Sequence, residues 1–134
     1  MRYLLDTNIC IQYLNQRSQA IIDRFEALEP EDVVVCSVVK AELFFGAVKS
    51  HDPQGTFAQQ QEFLGIFASL PFDDDAAIIY AHIRANLATL GTPIGPNDLM
   101  IAAIALANNL ILVTHNTREF SRISALNLED WEET

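Results

Sequence analysis

Three carboxylates stand among apolar neighbours in this chain: Asp6, Glu42 and Asp98. Asp6 follows Leu4-Leu5 directly. Glu42 has Val38, Val39, Phe45 and Gly46 at the i±3 and i±4 positions of its predicted helix. Asp98 opens the run Leu-Met-Ile-Ala-Ala-Ile-Ala-Leu-Ala, which is apolar on every side of a helix and is therefore expected to be buried. Neither Glu42 nor Asp98 has a Lys or Arg at helical neighbour spacing. Burying a carboxylate without a counter-charge is costly, so each needs a distant cation, a proton or a metal ion. Eight Lys and Arg serve eighteen Asp and Glu, and one divalent cation neutralises several carboxylates at once. Oxygen donors of this kind suit Mg²⁺ or Mn²⁺. The chemistry open to such a cluster is polarisation of a phosphate oxygen and activation of a water, with Asp6 and Asp98 as ligands and Glu42 orienting the nucleophile.

The elements that must position these groups alternate strand and helix. Residues 3–5 read as a short buried strand, after which Thr7 or Asn8 caps a helix reaching about residue 15. Ser18 caps a second helix ending near 28, and Pro30-Glu31-Asp32 turns the chain into the strand 33–36. Ser37 caps a helix to about 49, which His51-Asp52-Pro53 ends. A further helix carries Phe57, Phe63, Leu64 and Phe67, followed by a short strand at 70–72. Asp73-Asp74-Asp75 suits the positive end of a helix that Gly91 stops, and Gly95-Pro96-Asn97 opens the next, ending at Asn108-Asn109 before a strand at 110–113. Apolar strands spaced by helices predict an α/β fold with a parallel sheet covered on both faces. Asp6, Glu42, Asp98 and Asn116 then all fall near the carboxyl ends of strands, where open parallel sheets bind ligands.

Composition bounds the rest. With 134 residues, half of them hydrophobic and 19% charged, a packed core is within reach and the whole chain, 1–134, is expected to form one domain. The net charge of −10 argues against a broad basic face for gripping nucleic acid. Two cysteines are too few for a disulfide scaffold, which predicts a reducing, cytoplasmic setting. The apolar start is too short for a signal-peptide core, and the longest apolar stretch, 99–113, falls short of the ~20 residues of a membrane span.

Four motifs in order, Leu4-Leu5-Asp6-Thr7-Asn8, the Glu42 of Ser-Val-Val-Lys-Ala-Glu-Leu-Phe-Phe-Gly, Gly95-Pro96-Asn97-Asp98-Leu99-Met100-Ile101-Ala102-Ala103 and Thr114-His115-Asn116-Thr117-Arg118-Glu119-Phe120, resemble the signatures of PIN-domain ribonucleases, most closely the VapC-type toxins of toxin–antitoxin pairs. The resemblance runs nearly end to end. It implies a three-layer fold with a central parallel sheet of four to five strands, and Mg²⁺- or Mn²⁺-dependent endoribonuclease activity yielding 5′-phosphate and 3′-hydroxyl ends. It implies an RNA substrate, a cognate antitoxin protein, and homodimers within a toxin–antitoxin hetero-oligomer. The acidic cluster maps onto Asp6, Glu42 and Asp98, with Asn8, Thr114 and Asn116 in support. Many members carry a fourth aspartate where Asn116 stands, so the number of metal ions is left open. Candidate RNA contacts are Lys40, Lys49, Arg84 and Arg118, each of which also suits a solvated surface.

Other residues have plainer readings. Cys10 and Cys36 read as core thiols, His115 as lining the site, and Phe57, Phe63, Leu64 and Phe67 as chiefly core. A phosphoacceptor receiver domain needs a lysine after a late strand, where this chain has Val113-Thr114-His115-Asn116. A haloacid-dehalogenase-like phosphatase needs Asp-x-Asp, and Asp6-Thr7-Asn8 lacks the second carboxylate. A non-catalytic PIN-like binding module is the remaining alternative, kept open by Asn116.

Overall fold

The computed structural model describes residues 1–132, built on a five-stranded parallel sheet in the order β3-β2-β1-β4-β5. The strands are β1 (Tyr3–Leu5), β2 (Val33–Cys36), β3 (Ala68–Leu70), β4 (Ile111–Val113) and β5 (Leu128–Glu129). Helices α1 (Thr7–Leu14) and α2 (Gln19–Glu26) separate β1 from β2, and α3 (Ser37–Val48) and α4 (Pro53–Leu64) separate β2 from β3. Helices α5 (Asp74–Leu90) and α6 (Pro96–Ala107) lead to β4, and the short α7 (Thr117–Phe120) leads to β5. From β1 the chain first winds outward through β2 to β3, then returns to the other side of β1 for β4 and β5. The winding direction therefore reverses between β1 and β4, the place where sheets of this kind open a crevice.

Every residue of β1 and β2 is buried, as apolar strands covered on both faces must be. The edge strand β3 departs from that pattern, with Ala68 and Ser69 exposed, and it begins two residues earlier than the Leu70-Pro71-Phe72 pattern predicts. Proline without an N–H cannot extend the ladder, so pairing with β2 ends at Leu70. On the opposite edge, β5 and the single turn of α7 are too short to leave a periodic signal and are absent from the sequence-based reading. Phe67 lies just beyond α4, and of the apolar stripe there, Phe63 and Leu64 are buried while Phe57 is 40% exposed against Phe44.

Capping residues set most helix starts. Asp73 caps α5 by accepting from Ala76 N–H at 3.0 Å, with Asp74 and Asp75 in the first turn, and Gly91 ends the helix at φ 72°. Ser18 caps α2. Two predicted caps differ. Asp6, one residue before Thr7, caps α1, and Cys36 precedes α3 without a side-chain bond, leaving Ser37 as its first helical residue.

One apolar core spans both faces of the sheet and includes Leu4, Val34, Ile101, Ile104 and Leu112, all inaccessible. Cys10 and Cys36 belong to it as free thiols, and burial pushes both thiol pKa values up, so they are poor nucleophiles. Trp131 closes the core beyond β5, edge-on to Tyr3 and Phe25. Among the described residues, no helix is long and apolar enough to cross a membrane.

Candidate metal centre and active site

Asp6 leaves β1 at its carboxyl end, where its backbone N–H still donates to Val113 of β4 at 3.1 Å. Its side chain then turns back to accept from Ile9 N–H at 2.9 Å, which starts α1. Oδ1 of this acid therefore serves the helix. The residue is only 6% exposed. Burial pushes the carboxyl pKa up to about 6; the Thr114 hydroxyl and the Ile9 N–H oppose that shift, and the charges of Asp98 and Glu42 add to it.

Asp98 reaches the same place from α6. Gly95 occupies the cap of that helix, so Asp98 is free of capping work in the first turn. Helix α6 is the expected core helix, with Leu99 and Ile101 through Ala105 buried, and Asp98 at its end is half-buried. Burial, then Glu42, then Glu119 raise its pKa, against the favourable field of a helix N-terminus. Glu42, half-buried on α3 next to buried Leu43, accepts a 2.5 Å hydrogen bond from the Thr7 hydroxyl.

The three predicted carboxylates thus converge from β1, α3 and α6 and feel one another's charge. Among the described residues, no Lys or Arg forms an ion pair with any of them. Thr114, fully buried after β4, braces the cluster, and its hydroxyl also accepts from Asn116 N–H at 2.9 Å. Asn116 holds the Glu119 carboxylate through its amide at 3.3 Å. Asn8 is exposed on α1. Lys40 is half-buried on α3, Lys49 caps that helix, Arg84 on α5 donates to the Tyr80 hydroxyl at 3.2 Å, and Arg118 is exposed on α7. A cavity of about 640 Å³ adjoins the cluster, lined by Thr7, Val38, Glu42, Phe45, Asn97 and Met100.

The donor set fits a hard divalent cation. It consists of carboxylates and hydroxyls with no nitrogen or sulfur ligand, around an acid whose pKa burial raises and the neighbouring carboxylates push further up.

The PIN-domain family model matches residues 3–126. The chain belongs to the PIN-domain family. Its similar relatives include the tRNA(fMet)-specific endonuclease VapC of Salmonella typhimurium, 40% identical over 131 residues and 98% of each chain. Another is ribonuclease VapC2 of Haemophilus influenzae, 39% identical over 98% of each chain. The fold superposes on the DNA-bound VapBC complex of Salmonella typhimurium with a TM-score of 0.92, at 39% identity and 98% coverage of both chains. VapBC2 of Rickettsia felis bound to a promoter fragment gives 0.91 at 36% identity, covering 98% of this chain and 99% of that one.

Two residues beside the candidate site of this PIN domain stand within the quoted motifs but carry no site role there. Thr7 reads there only as a helix cap, although its hydroxyl secures Glu42 across 35 positions of chain. Glu119 stands in the fourth motif without a role of its own, although its charge reaches Asp98. Asn116 and Glu119 are one helical turn apart, and that Asn-x-x-Glu spacing is the local signal that could have placed a carboxylate beside the amide. His115 Nδ1 lies 2.9 Å from an Asp130 carboxylate oxygen and 2.8 Å from one of Glu132.

Proposed function

We propose that this chain is a divalent-metal-dependent endoribonuclease in which Asp6, Glu42 and Asp98 are the catalytic carboxylates. The observation behind this reading is the convergence of three acids, one of them buried with its pKa near 6, without a cation. Asp6 and Asp98 would hold Mg²⁺ or Mn²⁺, and the ion would supply charge stabilisation at phosphorus and a more acidic water. The chain's own groups do the positioning. Ile9 N–H and Thr114 fix Asp6, leaving its carboxylate braced rather than mobile. Thr7 donates to one Glu42 oxygen, leaving the second to orient the attacking water and accept its proton. Asn116 supports Glu119 beside Asp98, and Asn8 lies at the rim. Lys40, Lys49, Arg84 and Arg118 are the candidate phosphate contacts, few enough that RNA shape or an unpaired loop must share the recognition.

Structured RNA of the tRNA class is the first substrate to test, because a 40%-identical relative is named for cutting a tRNA. Control follows from the same geometry. Its structural neighbours are VapBC toxin–antitoxin complexes. An antitoxin helix laid beside α3 would place an Arg or Lys against Asp6, Glu42 and Asp98, a guanidinium taking the place of the ion.

The test is cleavage of a total tRNA pool by the purified chain with Mg²⁺ or Mn²⁺, with and without EDTA, with mapping of the new 5′ ends. Discrete ion-dependent cuts that EDTA abolishes are expected. Cleavage unaffected by EDTA, or none with either ion, refutes the assignment.

A further inference from the structure

Phe45 is 64% exposed, one helical turn beyond Glu42 on α3. Its ring forms part of the wall of the cavity that Thr7, Glu42 and Asn97 also line. One turn further on, the Lys49 ammonium lies 5.0 Å from the ring centroid. A flat apolar ring, a cation and the carboxylate site thus follow one another along a single helix. An unpaired nucleotide presents matching parts: a base with an apolar face, a phosphate, and the next phosphodiester bond. Base–aromatic stacking tolerates any base, since every base has such a face, and it is open only to bases outside a duplex.

We propose that Phe45 is a stacking platform for an unpaired RNA base adjoining the bond that is cut, with Lys49 meeting that nucleotide's phosphate. This rests on the nuclease reading for the position of the cut, but the stacking itself is a binding event and is measurable without cleavage.

The probe is an RNA hairpin with a seven-nucleotide loop carrying 2-aminopurine in the loop, compared with the same hairpin carrying it in the stem. Binding is read as fluorescence quenching in Asp6→Asn protein with Mg²⁺, so that the RNA stays intact. Loop quenching and no stem quenching are expected. Adding Phe45→Leu should remove the quenching and weaken binding about 5- to 100-fold, while Phe45→Trp restores both. Lys49→Gln should weaken binding and reduce the slope of log affinity against log salt by about 0.7. In the otherwise unaltered chain, Phe45→Leu should raise KM with kcat little changed, and the melting temperature should hold because the ring is exposed. Equal binding by Phe45→Leu, or equal quenching in loop and stem, overturns the proposal. So does a Phe45→Leu variant that binds RNA normally but loses self-association or capture by a protein partner, which would assign the ring to a protein interface. If the unaltered chain cuts no RNA yet the quenching depends on Phe45, the nuclease reading fails and the platform stands.

Discussion

Glu129 and Asp6 sit at or just past the carboxyl ends of strands in the same sheet, yet their surroundings differ. Glu129 receives the Arg24 guanidinium at 2.6 Å and the Trp131 indole N–H at 3.1 Å, while Arg24 also covers the Trp131 ring at 5.2 Å. Asp6 receives an amide N–H and a hydroxyl, and the charges that act on it are those of Asp98 and Glu42. In a chain with ten more acids than bases, cations are scarce and their placement is informative. At the β5 edge an arginine ties acid and indole together and the core is sealed. Above β1 and β4 the carboxylates act on one another's charge, Asp6 and Glu42 held by neutral donors, and among the described residues no cation pairs with them. The first region stabilises the fold; the second raises its free energy unless an ion or a proton arrives.

Substitutions should separate the two regions. The largest effect is expected at the sealed end: Trp131→Ala should lower stability by about 3–5 kcal/mol, read by denaturant unfolding, while RNA cleavage per folded molecule stays near that of the parent. A comparable loss of specific activity with unchanged stability would mean that the two ends are not separable. Next, Asp6→Asn and Asp98→Asn should each slow ion-dependent RNA cleavage on the order of 10²- to 10³-fold and leave the melting temperature equal or higher. Cleavage at the parental rate by both variants would remove them from the site.

A smaller effect is expected from the ion on the intact protein. At about 100 times its dissociation constant, Mn²⁺ should stabilise the native chain by roughly 2.7 kcal/mol. The triple variant Asp6→Asn, Glu42→Gln, Asp98→Asn should lose that response; if it keeps it, the ion binds elsewhere. The smallest effect concerns pH in the presence of EDTA. The native Asp6 pKa of about 6 lies above the unfolded value near 3.8, so the native state holds this proton more tightly. The stability it contributes is complete below pH ~4 and is lost as pH rises through about 6. Asp6→Asn should therefore match the parent only below pH ~4, gain on it between pH 4 and 6, and exceed it above pH 6 by up to about 3 kcal/mol. Parallel stability profiles for the two proteins would contradict the raised pKa.

The residues of the candidate site were legible to the extent that local chemistry marks them. Asp6, Glu42 and Asp98 each break an apolar pattern, and an acid among Leu, Val and Ile is visible without coordinates. Strands β1, β2 and β4 show the same way, as does α5 with Asp73 before it and Gly91 after it. Thr7, by contrast, has the look of an ordinary cap, because nothing nearby in sequence reveals a carboxylate 35 positions away. Glu119 lies on an exposed-looking turn, and its charge matters only because α7 folds toward the start of α6. Strand β5 is two residues long and exists through its pairing with Leu112 and Val113.

By itself the sequence determined the alternation of strand and helix, the burial of the sheet and the presence of acids in apolar surroundings, since these follow from hydrophobic periodicity and caps within a few residues. Tertiary structure alone decided which acids share one space, which hydroxyls brace them and where the scarce arginines are placed. The physical reason is range. Periodicity and capping act over a turn or two of chain, whereas carboxylate repulsion, the Thr7–Glu42 bond and the Arg24–Glu129–Trp131 contacts act through space between segments that only the reversal of the sheet between β1 and β4 brings together.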